Sequence, residues 1–319
     1  KSSISRVHDV ISRQPGALIA RGELTLDPGF ARAFLNWKTQ GGIDQTLSDI
    51  DLVVMCCQAL GLDLVCIQSG DAGDDHVNLA ARPSDLSHLA DQGLFVFWVV
   101  NGAFQRAIQR KGMMELMTDL AVAPDDVSQE LQHISNDVIT TMANGVRSGA
   151  HGVIIADDIA YSQSTLISPE AVEEHLFPLW SMQAKSVHEL GVPVFFHSDG
   201  NLKGVLQLIE QAGFDGLQCI DSTAGLTIEE IKDHCGASLC LMGMIDPGLL
   251  CEHLDRNDAE TRHESLRQAV SEVLTLAGTA GGMILGPSSG LHPGMSPERV
   301  ALLYRLAAEL EPIIDQSGL

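Results

Sequence analysis

The chain has 319 residues, a net charge of −23, and 45% hydrophobic against 19% charged residues. That length suits one large domain or two ordinary ones, and the hydrophobic share suits a packed core. The charge excludes the basic face a nucleic-acid binder needs, and it disfavours anionic membrane surfaces. No apolar run reaches the ~18 residues of a membrane span. The opening residues carry no apolar signal core, so a cytoplasmic protein is expected. Seven cysteines form no Cys-x-x-Cys pair, which fits free thiols in a reducing compartment.

Along the chain, a short apolar run with a polar end, followed by an amphipathic helical stretch, recurs eight times. The runs are Ala17–Ala20 leading into Arg21-Gly-Glu23, then Leu62–Gln68, Leu94–Asn101 and Val153–Asp158. Pro193–Asp199, Gly216–Asp221, Ser238–Asp246 and Met283–Ser289 complete the set. Short runs rich in Val, Ile and Phe and bounded by turn residues read as buried parallel strands. Strands alternating with helices make βαβ units. Ser168-Pro169-Glu170 and Ser296-Pro297-Glu298 place a cap before a helix-opening proline, and Thr227-Ile-Glu-Glu230 is a capping box. Eight units without a Gly-rich dinucleotide loop predict an α/β fold, a single (β/α)8 TIM barrel over residues 1–319. The alternative is an open doubly wound sheet.

In a barrel of this kind the chemistry sits where the strands end. The polar residues there are Arg21 and Glu23, Gln68, Asn101, Asp157 and Asp158, His197 and Asp199, Asp221, Asp246, and Ser288 with Ser289 and His292. An Asp after a strand is as often a helix cap or turn former, and Asp221 and Asp246 carry both readings. Asp157 and Asp158 are adjacent, so alternation points them apart: one faces the mouth and the other caps or pairs. His197 ends a buried run beside a carboxylate. That favours a ligand or acid/base role over a core histidine, with the ring expected to be partly solvated. The remaining histidines fall mostly on helices or loops. Cys56 and Cys57 fall in a helix and Cys66, Cys219 and Cys240 in strands, all read as core. Gly286-Pro-Ser-Ser-Gly290 suits either a phosphate loop or a tight turn.

These segments together resemble the uroporphyrinogen decarboxylase superfamily. Ile154-Ile-Ala-Asp-Asp-Ile-Ala-Tyr161, with Leu166-Ile-Ser-Pro169 and Pro178, resembles its fourth βα unit. Val192-Pro-Val-Phe-Phe-His-Ser-Asp-Gly-Asn201 resembles its fifth strand, and Gly216-Leu-Gln-Cys-Ile-Asp-Ser-Thr-Ala-Gly225 its sixth. Leu241-Met-Gly-Met-Ile-Asp246 resembles the seventh, and Gly281-Gly-Met-Ile-Leu-Gly286 with His292-Pro-Gly294 the eighth. Arg21-Gly-Glu-Leu24 is similar to the first strand of the branches that are not decarboxylases. The resemblance implies one of two chemistries: cofactor-free decarboxylation of uroporphyrinogen, or methyl transfer between a small donor, a corrinoid protein and an acceptor, usually with zinc.

The sequence departs from both patterns. Decarboxylases carry an Arg-rich segment after the first strand. Here Arg21-Gly-Glu-Leu-Thr-Leu-Asp-Pro-Gly-Phe-Ala-Arg32 has one Arg at the strand end and two acidic residues, a poor grip for a polycarboxylate. The thiol methyltransferases carry His-x-Cys on strand five and Cys near the end of strand eight. Here those places hold His197-Ser-Asp199 and Ser288-Ser289. A His/carboxylate metal site, with zinc or a harder ion, or no metal at all, is the expectation.

The leading reading is a corrinoid-linked methyltransferase acting on a small O- or N-methyl compound, with the cobalamin carried by a partner protein. His197, Asp157, Asp158 and Asp246 are its catalytic candidates, and His197 with Asp199 its metal ligands. Arg21, Glu23, Gln68, Asn101, Tyr161, Asp221, Ser288, Ser289 and His292 are the expected substrate contacts. The alternatives are a cofactor-free decarboxylase of a tetrapyrrole or other polycarboxylate, and a non-catalytic binding barrel. The oligomeric state stays open.

Overall fold

The structure is a computed structural model and describes residues 2–14, 16, 19–70, 80–220, 225–251, 259–280 and 282–317. Eight parallel strands form a single (β/α)8 barrel: β1 (Ile19–Arg21), β2 (Leu64–Ser69), β3 (Phe95–Asn101), β4 (Gly152–Ala156), β5 (Val194–His197), β6 (Gly216–Ile220), β7 (Cys240–Ile245) and β8 (Met283–Pro287). They are hydrogen-bonded in the order β1-β8-β7-β6-β5-β4-β3-β2, and a two-residue strand, Ala80–Ala81, pairs in parallel alongside the end of β2. The eight runs read from sequence match these strands.

Helices cover the outside of the strands, and their ends carry the expected caps. Ser168 Oγ accepts from Ala171 N–H, and Thr227 and Glu230 form a reciprocal capping box. Helix Ser3–Ile11 packs on β1, β2, β3 and β8. Among the described residues no helix is long and apolar enough to cross a membrane.

Asp63 joins β1 to β2. Its backbone N–H donates to Arg21 O at 2.8 Å, and its carboxylate accepts from Arg21 N–H at 3.0 Å. Its carbonyl accepts from Phe95 N–H at 2.9 Å, which ties β3 to the same point.

Inside the barrel the lower layers are aromatic. Phe95 and Phe97 lie 4.8 Å apart between ring centroids, and Phe97 and Phe195 lie 5.1 Å apart. The second contact spans β4, and it is possible because Gly152 and Gly216 carry no side chain. A Cβ on Gly152 would sit 2.6 Å from Phe97 Cε1, and one on Gly216 would sit 2.4 Å from Phe195 Cε2. Above these rings the inward positions turn polar.

Gly152→Ala should therefore overpack the barrel floor and destabilise it by about 1–3 kcal/mol. Urea unfolding should show the lower midpoint, with the larger change in Gly216→Ala, where the approach is closer.

Candidate active site

Strand register fixes the layer above the aromatic floor. Asn101 pairs with Ala156, Ala156 with His197, and His197 with Gln218. Partners across parallel ladders face the same side, so Asn101, His197 and Gln218 share the inward face with Phe97 and Phe195.

His197 is only 2% exposed, so the expectation of a partly solvated ring is wrong. The reason is that its neighbours on both sides close over it. Its Nδ1 meets Gln218 Oε1 in a short hydrogen bond. Gln218 Nε2 in turn donates to Ser288 O at 3.2 Å, which turns Oε1 toward the ring. A carbonyl oxygen only accepts, so Nδ1 carries a proton. In the neutral imidazole Nε2 is then the lone-pair nitrogen, 3.7 Å from Asp158 Oδ1.

Gln218 reaches Ser288 across β7 because Gly243 stands between them with φ of +112°. A bulge in the β6–β7 register falls at the same place. Gln218 was not singled out from sequence. Its one signal was a glutamine inside an apolar strand, where a fully buried amide needs partners.

Alternation separates the adjacent aspartates. Asp157 is buried and turned to the helix layer, accepting from Gln105 N–H at 2.8 Å and Trp180 Nε1–H at 3.1 Å. Burial pushes its carboxyl up to about 6, against the pull of those two donors. Asp158 faces the mouth and accepts from Asp199 N–H at 2.9 Å. The loops after β4 and β5 are joined further by Ile159 N–H to Ser198 Oγ at 3.1 Å and Asn201 N–H to Tyr161 O at 2.8 Å. These bonds gather Asp158, His197 and Asp199, one ligand atom of each lying within 4.8 Å of the others. Among the described residues this is the one such cluster able to share a metal ion.

The other expected site residues are placed as follows. Gln68 Nε2 donates to Asn101 Oδ1 at 3.1 Å, both fully buried. Ser288 contributes its carbonyl to Gln218, whereas Ser289 is exposed and His292 half-buried. Gly290 N–H donates to Pro287 O at 3.2 Å, so Gly286–Gly290 ends in a tight turn. Tyr161 is 47% exposed beside the joined loops. Asp246 is exposed and caps the short turn Pro247–Leu250, with Oδ1 accepting from Gly248 N–H at 2.7 Å. Asp221 lies outside the described residues. Glu23 is buried and accepts from the Tyr304 hydroxyl, next to Cys56, Cys57 and Cys66. Burial also raises the thiols, that of Cys57 to about 12, so thiolate chemistry is disfavoured there.

The arginines that could have gripped a polycarboxylate are engaged elsewhere. Arg21 pairs with Glu311 at 2.7 Å, on the C-terminal helix Pro297–Ser317. Arg106 Nε donates to Asn101 O at 3.0 Å, and Arg110 pairs with Asp137 at 3.5 Å.

A parallel barrel with a histidine and carboxylates gathered where the strands end has the layout of a barrel enzyme. The chain belongs to the uroporphyrinogen decarboxylase family: the model described as Uroporphyrinogen decarboxylase (URO-D) matches residues 104–310. It is 25% identical over 191 residues to a uroporphyrinogen decarboxylase of Carboxydothermus hydrogenoformans, covering 60% of this chain and 50% of that protein. It is 26% identical over 194 residues to one of Saccharophagus degradans, covering 59% of this chain and 49% of the relative. The matched stretch thus spans about half the length of these relatives. In fold it is similar to a methyltransferase from Methanosarcina mazei, with a TM-score of 0.72 at 16% identity, covering 97% of this chain and 99% of that one.

Two outcomes follow from this geometry. Burial holds the Glu23 carboxyl well above its ordinary range, so above that range the folded state binds more protons than the unfolded one. Stability contributed by this group is then lost as pH rises from about 4.3 through the folded value. Glu23→Gln keeps an acceptor for Tyr304 without a charge to bury, so denaturation curves should show its stability advantage growing with pH. Gln218→Leu removes the partner of His197 Nδ1. Nitrogen-15 spectra of the imidazole should show a single Nδ1–H tautomer in the wild type and a mixture in the variant.

Proposed function

We propose that this barrel is a corrinoid-linked methyltransferase of the family. It moves a methyl group between a small O- or N-methyl compound and a cobalamin protein. The observation that carries the reading is the Asp158–His197–Asp199 cluster, with His197 held in the tautomer that leaves Nε2 as the lone-pair nitrogen. An imidazole nitrogen and two carboxylate oxygens suit zinc or a harder divalent ion, and three protein ligands match a catalytic zinc site that keeps a position open. An ion held there would supply Lewis acidity toward the heteroatom that carries the methyl group. Around it, Gln218 orients the imidazole, Asp199 N–H orients the Asp158 carboxylate, and the aromatic floor keeps water from below. The corrinoid would come with the partner protein. The similarity in fold to the Methanosarcina mazei methyltransferase supports the same reading.

The names of the curated relatives favour a second reading, decarboxylation of a tetrapyrrole or another polycarboxylate. The side chains fit it less well. Such a substrate needs several cations in the mouth, and Arg21, Arg106 and Arg110 are bonded to Glu311, Asn101 O and Asp137.

The test is metal analysis and zinc titration of wild type and His197→Gln, followed by a methyl-transfer assay with methylated cobalamin and small O- and N-methyl compounds. The wild type should bind near one equivalent of zinc. The variant should lose most of it, together with about 10²-fold or more of any transfer. Because the imidazole is buried and bonded, the variant should also be destabilised, by about 1–3 kcal/mol. Uroporphyrinogen turnover should be negligible beside an authentic decarboxylase. Comparable turnover, with no zinc bound, would replace the proposal by the second reading.

A further inference from the structure

Gln68 is the last residue but one of β2 and Asn101 the last of β3, and the metal cluster uses neither. Gln68 pairs with Val99 across the ladder, so it faces inward with Asn101. The two amides share one hydrogen bond, Gln68 Nε2 to Asn101 Oδ1 at 3.1 Å. What remains of each is unpartnered: Gln68 Oε1 and Asn101 Nδ2 are buried with no hydrogen bond. The residues are 2% and 0% exposed. Buried polar atoms without partners lower stability and are few in folded proteins, so a donor and an acceptor left open side by side point to a ligand.

The chemistry does not depend on which way the amides are drawn. If both were rotated, Asn101 Nδ2 would donate to Gln68 Oε1, and Gln68 Nε2 and Asn101 Oδ1 would be left open. One donor and one acceptor remain in either case, and neither is charged.

We infer that Gln68 and Asn101 form the substrate's polar subsite, and that it takes an uncharged group able both to donate and to accept: a hydroxyl or a primary carboxamide. A hydroxyl oxygen accepts from the open N–H while its hydrogen goes to the open oxygen. A carboxamide does the same with its two heteroatoms. A carboxylate satisfies the N–H alone. Its second oxygen would face the open oxygen, acceptor against acceptor, and Arg106, the nearest cation in sequence, gives its Nε–H to the Asn101 backbone. Asn101 lies two ladders from His197, through Ala156. Two strand spacings make roughly 10 Å between these backbones. The group that reacts and the group that is recognised are therefore at opposite ends of a small molecule. The inference rests on the proposed function only in placing the reacting end at Asp158, His197 and Asp199.

The experiment uses metal-free full-length protein in a chelator, with benzamide, benzyl alcohol and benzoate as probes, titrated by ligand-observed NMR. Benzamide and benzyl alcohol should bind at least tenfold more tightly than benzoate. Gln68→Leu with Asn101→Leu removes both partners together and creates no new open atom, so its thermal midpoint should stay equal or rise. The double variant should lose the preference while keeping its zinc stoichiometry, which separates this subsite from the metal reading. Benzoate binding as tightly as benzamide in the wild type overturns the inference without any variant. Unchanged benzamide binding in the double variant overturns it too, and a markedly lower midpoint would assign the pair to the fold instead.

Discussion

In parallel strands curled into a barrel, residues paired across a ladder point the same way, and side chains alternate between the two faces along each strand. Phe97 pairs with Gly152, and Phe195 pairs with Gly216. These four set which residues face the interior. Two positions further along β5 the inward residue is His197, and two along β6 it is Gln218. The floor and the site are thus consequences of one register. A one-residue slip of β5 would turn His197 into the helix layer, where Phe196 now packs on Trp180 and Phe214.

The same parity sorts the charges. Asp157 and Asp158 are consecutive, yet one anchors Gln105 and Trp180 while the other approaches His197. Arg21 reaches Glu311 on the outer helix instead of the mouth. A chain at −23 therefore keeps these cations as outer fasteners, and its mouth keeps carboxylates, an imidazole and neutral amides. Such a mouth attracts cations and repels anionic substrates at long range.

The barrel was legible because its strands are apolar runs of the right length and its helices open on caps such as Ser168 and Thr227. The residues at the strand ends could be named for the same reason. Alternation told Asp157 and Asp158 apart, but the roles of the other strand-end residues were not legible. Asp246 caps a turn, and nothing in Met-Ile-Asp-Pro distinguishes that from an active carboxylate. Glu23 stands next to a strand end as a mouth residue would, but its partner Tyr304 lies 281 positions away. Gln218 was not legible because it lies inside its strand, two residues before the end, and not at the polar strand terminus. Its importance comes from a bond to His197 on the next strand and another to Ser288 across Gly243. Contacts between strands far apart in sequence decide roles, and one sequence alone does not reveal them.

The ligand set also bears on chemistry. Thiolate ligands donate charge to a metal and blunt its Lewis acidity, a balance suited to activating a thiol. In this barrel the described cysteines closest to the core, Cys56, Cys57, Cys66 and Cys240, are buried with thiols held protonated, and none joins the cluster at the mouth. An imidazole and two carboxylates would leave more positive charge on an ion held there. Such an ion polarises an oxygen or nitrogen leaving group better than it tunes a thiolate. Under the proposed function, such a ligand set would suit the side of the transfer that takes a methyl group from a heteroatom. The neutral donor and acceptor of Gln68 and Asn101 fit that side too, because a small methyl compound that carries a hydroxyl or a carboxamide brings no charge that would need a cation to hold it.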